Sequence, residues 1–403
     1  MDWKTIELGE VVNFAPKVNL KKGHTYSFVA MEDINSMDRF IYPSRSTEFD
    51  GSGGAKFSNG NILFARITPC LENRKIAQVK ITSGEYGVGS TEFFVFDAKE
   101  GITNLDYLYY LLKTYLVVEN AINSMVGASG RQRADWGYVK KLKINLPPLP
   151  IQRRIAEVLG RYDTLIENYK RQVNILETSA QMLYREWFVR GRCPYATYEE
   201  GSELPVGWRQ VKIGEVCVIG RGSSPRPIDD NIYFEDGTIP WIKIADATAS
   251  GKFLYETKEH VNKYGASFSR FLNEGSLIIA TSGTLGFCIM LGVKGCVHDG
   301  WLYIPEYREG VTPNFMYFVI NALTEYFNNL SYGAAIQNIN TDILRETPMT
   351  LPTQDVLNKF IEIVTVIDKK IDCLSKQLIE LRQMRDKLLP RLMSGQIPLT
   401  ATE

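Results

Sequence analysis

The sequence predicts a mixed α/β (α+β) fold organised as a pseudo-two-fold internal repeat, with two globular domains that are each followed by a long helix. Three observations support this fold class: segments that recur about 205 positions apart, apolar stripes of helical period, and short β-rich runs within each globule. The two helices are expected to pair as an antiparallel coiled coil.

Direct comparison of the two halves shows the repeat. Residues 3–11 (WKTIELGEV) recur as residues 208–216 (WRQVKIGEV), which lie 205 positions later. Residues 60–65 (GNILFA) match residues 275–280 (GSLIIA), and the Leu-Pro pair at 146–147 matches the pair at 351–352. These matches divide the chain into globular segments 1–146 and 193–348 and helical segments 147–192 and 349–403.

Each helical segment carries one narrow apolar stripe, with side chains at alternating steps of four and three residues as in a coiled-coil seam. A stripe this narrow favours pairing of the two helices over the alternative, in which each helix folds back onto its own globule. The antiparallel pairing would place the globules at opposite ends. The residues predicted to pair the helices are Ile155, Leu159, Tyr162, Ile166, Tyr169, Val173, Leu176, Leu183, Phe360, Val364, Ile367, Ile371, Leu374, Leu378, Leu381 and Leu388.

Prolines mark the expected helix boundaries. A Pro-rich run at 147–150 precedes the first helix, and Pro352 with Thr353 as N-cap precedes the second. Pro390 is expected to break or kink the second helix and to leave Leu392 beyond it. Arg385, the one polar residue in the seam, is expected either near a frayed helix end or paired with an acid.

The globules are expected to contain irregular sheets with many loops. The predicted strands include residues 62–65, 93–96, 277–280 and 301–304, which are separated by Gly, Asn and Ser turns. One helix per globule is predicted, over residues 105–118 and 315–330.

Composition excludes several classes of protein. The 44% hydrophobic and 23% charged residues are typical of a folded globular protein, and Lys+Arg and Asp+Glu balance at 46 each. Net charge therefore gives no support for a nucleic-acid partner, and any such interface must rest on local basic clusters. The six cysteines form no C-x-x-C pair, the start lacks an export signal, and no apolar run could span a bilayer, so a cytoplasmic protein is expected.

The sequence also lacks the motifs of common catalytic sites. It has no phosphate-binding loop, no H-E-x-x-H, no paired Cys/His cluster, and only three histidines. The N-P-P-[YF] motif of adenine methyltransferases is absent as well. We therefore expect catalysis to reside on other chains.

The whole chain resembles the specificity (S) subunit of type I restriction-modification systems. The resemblance rests on residues 146–152 (LPPLPIQ) with Asp163 and Ile166, and on residues 351–354 (LPTQ) with Asp368 and Ile371. Residues 60–69 (GNILFARITP), 222–225 (GSSP) and 237–246 (GTIPWIKIAD) are also similar to that family. The spacing from Gln to Asp differs between the halves, 11 positions in the first and 14 in the second.

The resemblance implies that segments 1–146 and 193–348 are target recognition domains, each of which reads one half of a split DNA target. It implies that the paired helices set the spacer and dock two methyltransferase subunits, which carry S-adenosylmethionine and flip the target adenine. Restriction subunits would add ATP- and Mg-dependent translocation and cleavage. The chain itself would bind no cofactor and no metal, and would act as a non-catalytic subunit with double-stranded DNA as its ligand.

Candidate DNA-binding residues lie in loops rich in Arg, amide and hydroxyl side chains, because Arg to guanine and Asn or Gln to adenine are the favoured base contacts. An alternative for residues 66–75 is an ordinary surface hairpin, and Lys140, Lys141 and Lys143 fit a solvated strand edge. His298 and Trp301 are expected to pack rather than to contact bases. The candidates are Arg66, Thr68, Asn73, Arg74, Lys75, Arg131, Gln132, Arg133, Arg221, Arg226, Thr281, Ser282, Thr284, Gln337, Asn338 and Asn340.

Two other functions remain open from sequence alone. The chain could be a coiled-coil tether or scaffold whose globules bind protein, or a complete enzyme of unknown type. A salt-dependent gel shift on random duplex DNA separates the first alternative from a DNA-reading subunit. Methyl transfer by the chain without partners would favour the second.

Overall fold

The structure is a computed structural model that describes residues 3–128, 130–248, 250–283, 285–333 and 338–399. The chain forms two compact units. Unit 1 comprises Met1–Asn168 and Ile379–Glu403, and unit 2 comprises Tyr169–Leu378. Both boundaries fall inside the long helices, so each unit combines one globule with segments of both helices.

The globule of unit 1 contains eleven strands and four short helices among the described residues, followed by the first long helix. The strands are β1 (Lys4–Glu7), β2 (Val12–Phe14), β3 (Thr25–Val29), β4 (Phe40–Ile41), β5 (Arg45–Glu48), β6 (Ala55–Ser58), β7 (Ile62–Ala65), β8 (Ile76–Val79), β9 (Tyr86–Gly89), β10 (Phe93–Ala98) and β11 (Lys143–Leu146). The helices are α1 (Leu8–Val11), α2 (Leu105–Lys113), α3 (Tyr115–Asn123), α4 (Trp136–Val139) and the long α5 (Leu149–Tyr184), which a π-helical turn extends over Arg185–Val189.

The globule of unit 2 repeats the order of the strands and contains additional short helices among the described residues. Its strands are β12 (Arg209–Lys212), β13 (Cys217–Arg221), β14 (Ile239–Ile242), β15 (Phe253–Leu254), β16 (Glu259–Val261), β17 (Arg270–Leu272), β18 (Leu277–Ala280), β19 (Cys288–Leu291), β20 (Gly295–Val297), β21 (Trp301–Tyr307) and β22 (Pro348–Leu351). Its helices are α6 (Ile213–Val216), α7 (Ile244–Thr248), α8 (Lys263–Ser267), α9 (Pro313–Ala322), α10 (Thr324–Gly333), α11 (Thr341–Glu346) and the long α12 (Gln354–Met393).

The sheets of the two globules share one topology, which confirms the internal repeat. In unit 1 a five-stranded sheet has the order β2-β10-β7-β8-β4, and a four-stranded sheet has the order β5-β3-β9-β6. The corresponding orders in unit 2 are β13-β21-β18-β19-β15 and β16-β14-β20-β17. A two-stranded pair, β1 with β11 or β12 with β22, closes each globule just before its long helix.

The predicted strands lie at the centre of the five-stranded sheets. Every residue of β7 and of β18 is buried, which explains why each appears in the sequence as an uninterrupted apolar run. The single helix predicted over residues 105–118 is wrong in detail, because Thr114 is extended (ψ 148°) and divides it into α2 and α3. The Thr114 hydroxyl donates to the carbonyl of Leu111 at 2.7 Å and so satisfies the end of α2. The helix predicted over residues 315–330 is likewise divided, into α9 and α10.

Within each unit the two long helices run antiparallel. In unit 1, Ile155 and Leu159 of α5 share a core with Leu392 of α12, while Asp163, further along α5, contacts Arg385, which is earlier in α12. In unit 2 the ring of Phe360 in α12 lies 5.9 Å from the rings of Tyr184 and Trp187 in α5. The helices therefore pair with each other while also packing on the globules.

The end of α12 differs from the prediction. Pro390 lies inside the helix, which continues to Met393, and Leu392 is 2% exposed within the core of unit 1. Proline removes one backbone donor, but only one turn of helix follows it, and the burial of Leu392 holds that turn in place. Arg385 is buried and bonded to Asp163 at 2.7 Å, so pairing with an acid is the correct alternative.

The two glutamines that close the Pro-rich segments have different environments. Gln152 is 1% exposed, and its side chain accepts from the amide of Asn104 at 2.9 Å and donates to the carbonyls of Ile102 and Pro147. Gln354 is exposed and bonds only Asn358 among the described residues. The two glutamines therefore do not have equivalent structural roles.

No helix in the described part of the chain has both the length and the apolar character that crossing a bilayer requires.

Candidate DNA interface

Two of the predicted loops meet in unit 1. The segment after β7 lies against the loop after α3, because the carbonyl of Arg66 accepts from the amide of Ala134 at 2.7 Å. Thr68 and Gln132 exchange two further bonds: the Thr68 amide donates to the Gln132 carbonyl, and the Thr68 hydroxyl accepts from the Gln132 amide at 3.1 Å. Residues 66–68 and 130–133 therefore form one surface.

The arginines of this surface differ in how strongly they are held. Arg133 donates to both carboxylate oxygens of Glu92, with distances of 2.6 to 3.0 Å. Its guanidinium lowers the pKa of Glu92, although partial burial opposes the shift. The guanidinium carbon of Arg66 lies 4.9 Å from the centre of the Phe94 ring. Arg131 is exposed and has no ion-pair partner in the described part of the chain, so its guanidinium is the one best placed to contact a ligand.

The other end of the segment after β7 carries Asn73, Arg74 and Lys75. Asn73 and Arg74 are exposed, and Arg74 lies 3.7 Å from Glu119. The Lys75 ammonium donates to the carbonyl of Met31 at 2.8 Å, which ties it to the globule. Asn73 and Arg74 remain accessible, whereas Lys75 has a structural contact.

An open groove of about 390 Å³ adjoins Arg66 and adds two basic residues that the sequence reasoning missed. Lys17 and Lys56 line this groove together with Arg66 and the ring of Phe93. The three cations are far apart in sequence, so the sequence alone does not show that they converge. Their convergence would suit a phosphate backbone, since Lys and Arg supply most phosphate contacts.

In unit 2, Arg221 and Arg226 converge on Asp299. The Arg221 Nε donates to the Asp299 carbonyl at 2.9 Å, and the Arg226 guanidinium pairs with the carboxylate. Burial acts to raise the pKa of Asp299, but the hydrogen bond from Ser224 and the charge of Arg226 lower it overall. No residue larger than glycine fits at Gly222, because a Cβ there would overlap the His298 carbonyl.

The segment after β18 is built like its counterpart in unit 1. The carbonyl of Thr281 accepts from the amide of Ile339 at 2.8 Å, and the buried Thr281 hydroxyl donates to the carbonyl of Gly300 at 3.0 Å. Thr281 thus links three segments through its carbonyl and its hydroxyl, and Ser282 beside it is half-buried.

The remaining candidates of unit 2 lie in the loop before α11. Asn338 is exposed. Asn340 caps α11, since its side-chain oxygen accepts from the amides of Asp342 and Ile343. Thr284 and Gln337 lie outside the described residues. The accessible side chains among the described residues of this loop are amides rather than cations.

All sixteen predicted helix-pairing residues are buried or half-buried, and none is exposed. The exposed apolar residues Ile175, Met182 and Val366 lie off this seam. The predicted seam side chains are therefore at least partly shielded from solvent. The buried members are Ile155, Leu159, Ile166, Phe360, Val364, Ile371, Leu374 and Leu378, and the half-buried ones are Tyr162, Tyr169, Val173, Leu176, Leu183, Ile367, Leu381 and Leu388.

The family profile of the "Type I restriction modification DNA specificity domain" matches this chain twice, over residues 1–178 and 205–383. The chain belongs to this family. The two matched ranges coincide with the repeat in sequence and in sheet topology. As a type I specificity subunit the chain is the non-catalytic, DNA-recognising component, and its partners are DNA and the methyltransferase and restriction subunits.

Relatives of full length support the assignment. The MjaIX specificity subunit of Methanocaldococcus jannaschii is 25% identical over 98% of this chain and 94% of the relative. The HindI specificity subunit of Haemophilus influenzae is 23% identical over 98% of this chain and the whole relative. The crystal structure of an S subunit from M. genitalium has a TM-score of 0.55 at 15% identity, covers 97% of this chain and 96% of that chain, and supports the fold. A specificity subunit is thus favoured over a coiled-coil tether that binds protein.

Proposed function

We propose that each globule of this specificity subunit reads one half of a bipartite double-stranded DNA target. The recognition domains would be segments 1–146 and 193–348, and the helical segments 147–192 and 349–403 would set the spacer between half-sites. The observation that carries the proposal is that equivalent loop pairs meet in both units but present different chemistry. Arg131 is exposed in the first loop pair, where Arg133 is paired with Glu92, and Asn338 is exposed in the second, where Asn340 caps α11.

This difference predicts unlike half-sites. Exposed guanidinium groups favour guanine, whereas amides favour adenine, so the two units should not accept the same bases. Rigid reading of one face of a duplex favours half-sites about one helical turn apart, roughly 34–36 Å. Lengthening both helices should therefore lengthen the spacer.

The methyltransferase and restriction subunits would supply the catalytic activities. We propose that two methyltransferase subunits dock on the helices and globules, and that they carry S-adenosylmethionine and the base-flipping chemistry. Restriction subunits would bind ATP and Mg. This chain would bind none of these cofactors and would act in the cytoplasm.

Methylome sequencing of cells that express the complex tests the two-domain reading. Arg131→Ala is expected to relax base preference in one half-site only, and Asn338→Ala in the other half-site only. Lys143→Ala, an exposed strand-edge change, serves as the matched control and should leave the motif unchanged. A continuous target, or one variant that alters both half-sites, would contradict the proposal.

A second experiment separates DNA binding from a protein-binding scaffold. Gel shifts of the intact methyltransferase complex on random duplex DNA should show a steep salt dependence. Lys17→Ala and Lys56→Ala should each lower the salt slope by about one if the groove contacts phosphate. Binding that is insensitive to salt would favour the scaffold.

A further inference from the structure

Each unit contains a buried cluster of charges where the globule meets both long helices. We call these clusters the first joint, centred on Asp163 of α5, and the second joint, centred on Asp368 of α12. The two aspartates lie 205 positions apart, and each faces a cation that directly precedes an edge strand: Arg39 before β4, and Lys252 before β15. The joints are therefore equivalent by repeat and by topology.

We call the long helix that reaches a joint from the other half of the repeat its incoming helix. In the first joint the incoming helix is α12, and it supplies positive charge. Arg385 of α12 donates to Asp163 Oδ1 at 2.7 Å and to the carbonyl of Met37 at 3.3 Å. One turn earlier, Arg382 pairs with Asp38 at 3.3 Å. Arg39 lies on the other side of Asp163 at 4.0 Å.

In the second joint, the incoming helix supplies negative charge. Lys252 donates from its ammonium to Asp368 Oδ1 at 2.5 Å, and Glu177 of α5 accepts from the Lys252 amide at 2.8 Å. Lys252 is buried, with its ammonium 4.6 Å from the ring centres of Tyr317 and Phe318.

The equivalent positions of the incoming helices thus carry different charges. Glu177 of α5 corresponds to Arg382 of α12, and Ala180 corresponds to Arg385, again with an offset of 205. Each joint is complementary to the helix that enters it in this chain. Neither joint would be complementary to a second copy of the helix that follows its own globule.

We propose that the joints select pairing between the two unlike halves of one chain and reject pairing between identical halves of two copies. If two first halves paired, Glu177 of one copy would face Asp38 of the other, and Ala180 would leave Asp163 without its Arg385 contact. If two second halves paired, Arg382 would stand beside the Lys252 amide and ammonium, where donor faces donor. Like charges brought together in a partly buried contact disfavour the wrong partner.

The internal repeat makes this selection necessary. The apolar seams of α5 and α12 have the same register, so burial of the seams alone would tolerate exchange of helices between copies. The charges at the joints break this equivalence. The proposal concerns which helices pair, and it does not depend on which bases the globules read.

The test exchanges the four discriminating residues between the helices of the full-length chain. Two copies with different affinity tags are co-expressed with the methyltransferase subunit, and the fraction of one tag that co-purifies with the other is measured. The exchange variant, which preserves net charge, carries Glu177→Arg, Ala180→Arg, Arg382→Glu and Arg385→Ala. The control variant exchanges exposed neighbours on the same turns and carries Thr178→Gln, Ser179→Met, Gln383→Thr and Met384→Ser.

We expect background co-purification for wild type and for the control variant, and co-purification near the statistical share for the exchange variant. Such a result cannot come from destabilisation alone, because the exchange variant must form the complex to be recovered with the second tag. Equal co-purification in all three proteins would overturn the proposal. So would a folded exchange variant whose copies stay separate.

A milder pair of variants decides the matter if the exchange variant does not accumulate. Glu177→Gln keeps an oxygen acceptor for the Lys252 amide but removes the negative charge. We expect it to raise co-purification by about fivefold over wild type, since one like-charge contact is removed from the homotypic pairing. Glu177→Asp should stay at the wild-type level. Equal values for Glu177→Gln and Glu177→Asp would refute the role of this charge.

Discussion

The two joints also differ by one hydroxyl group, and this difference allows a direct test of their equivalence. In the first joint the Tyr110 hydroxyl donates to Asp163 Oδ2. In the second joint Phe318 takes the place of Tyr110 on the equivalent helix α9, and the buried Oδ2 of Asp368 has no hydrogen-bond partner among the described residues. Phe318→Tyr should place a donor at this oxygen.

The expected gain follows from the cost of an unsatisfied buried acceptor. Leaving a buried acceptor unpaired costs about 1–3 kcal/mol. Phe318→Tyr should therefore raise the free energy of unfolding of unit 2 by about 1.5 kcal/mol and its thermal midpoint by about 3–6 °C. Differential scanning calorimetry of the full-length chain at pH 7 measures this change.

Tyr110→Phe is the reciprocal variant and the matched control. It removes the equivalent hydroxyl from the first joint and should lower the midpoint of unit 1 by a similar amount. If Phe318→Tyr lowered the midpoint or left it unchanged while Tyr110→Phe lowered it, the joints would not be equivalent. The reasoning on Asp368 would then be refuted.

Three further predictions concern stability. Burial raises the pKa of Glu177, so unit 2 should lose stability as pH rises above the ordinary value of 4.5, and Glu177→Gln should reduce the difference in midpoint between about pH 5 and pH 7. Gln152→Ala should cost about 2–3 kcal/mol by leaving buried backbone groups unpaired, whereas Gln354→Ala should be nearly neutral in urea unfolding. Phe360→Ala should cost about 3–5 kcal/mol, and Val366→Ala, 67% exposed, should cost little by the same assay.

Each of these predictions has an outcome that would contradict it. An unchanged pH dependence in Glu177→Gln would mean that another group titrates. Equal costs for the two glutamine variants would show that the side-chain bonds of Gln152 contribute little. A small cost for Phe360→Ala would mean that the aromatic cluster around it is not part of the folding core.

Features set by local sequence were predictable. The strands β7 and β18 are short apolar runs between turn residues, and the helix seams have a constant period, so both are visible without tertiary information. Thr114 was missed as a helix break because its extended backbone depends on packing between α2 and α3. Neither Thr114, which separates α2 from α3, nor Leu323, which separates α9 from α10, is a residue type that marks a helix end strongly.

The charged sites were harder to predict because their partners are distant in sequence. Asp163 and Arg385 are 222 positions apart, so the acid that pairs with Arg385 could not be named in advance. Lys17 and Lys56 likewise join Arg66 only through the packing of the sheets. In both cases single residues in unremarkable contexts acquire a role through the fold.

The way in which the chain is divided between the two units determines the order in which they can be completed during synthesis. Unit 2 is one uninterrupted stretch, Tyr169–Leu378, whereas the core of unit 1 contains Leu392 beside Leu8 and Ile155. A ribosome that works from the N-terminus delivers most of unit 1 first but its last core residues after all of unit 2. The apolar face of the nascent first globule therefore lacks its contact with Leu392 until the whole second unit has been synthesised.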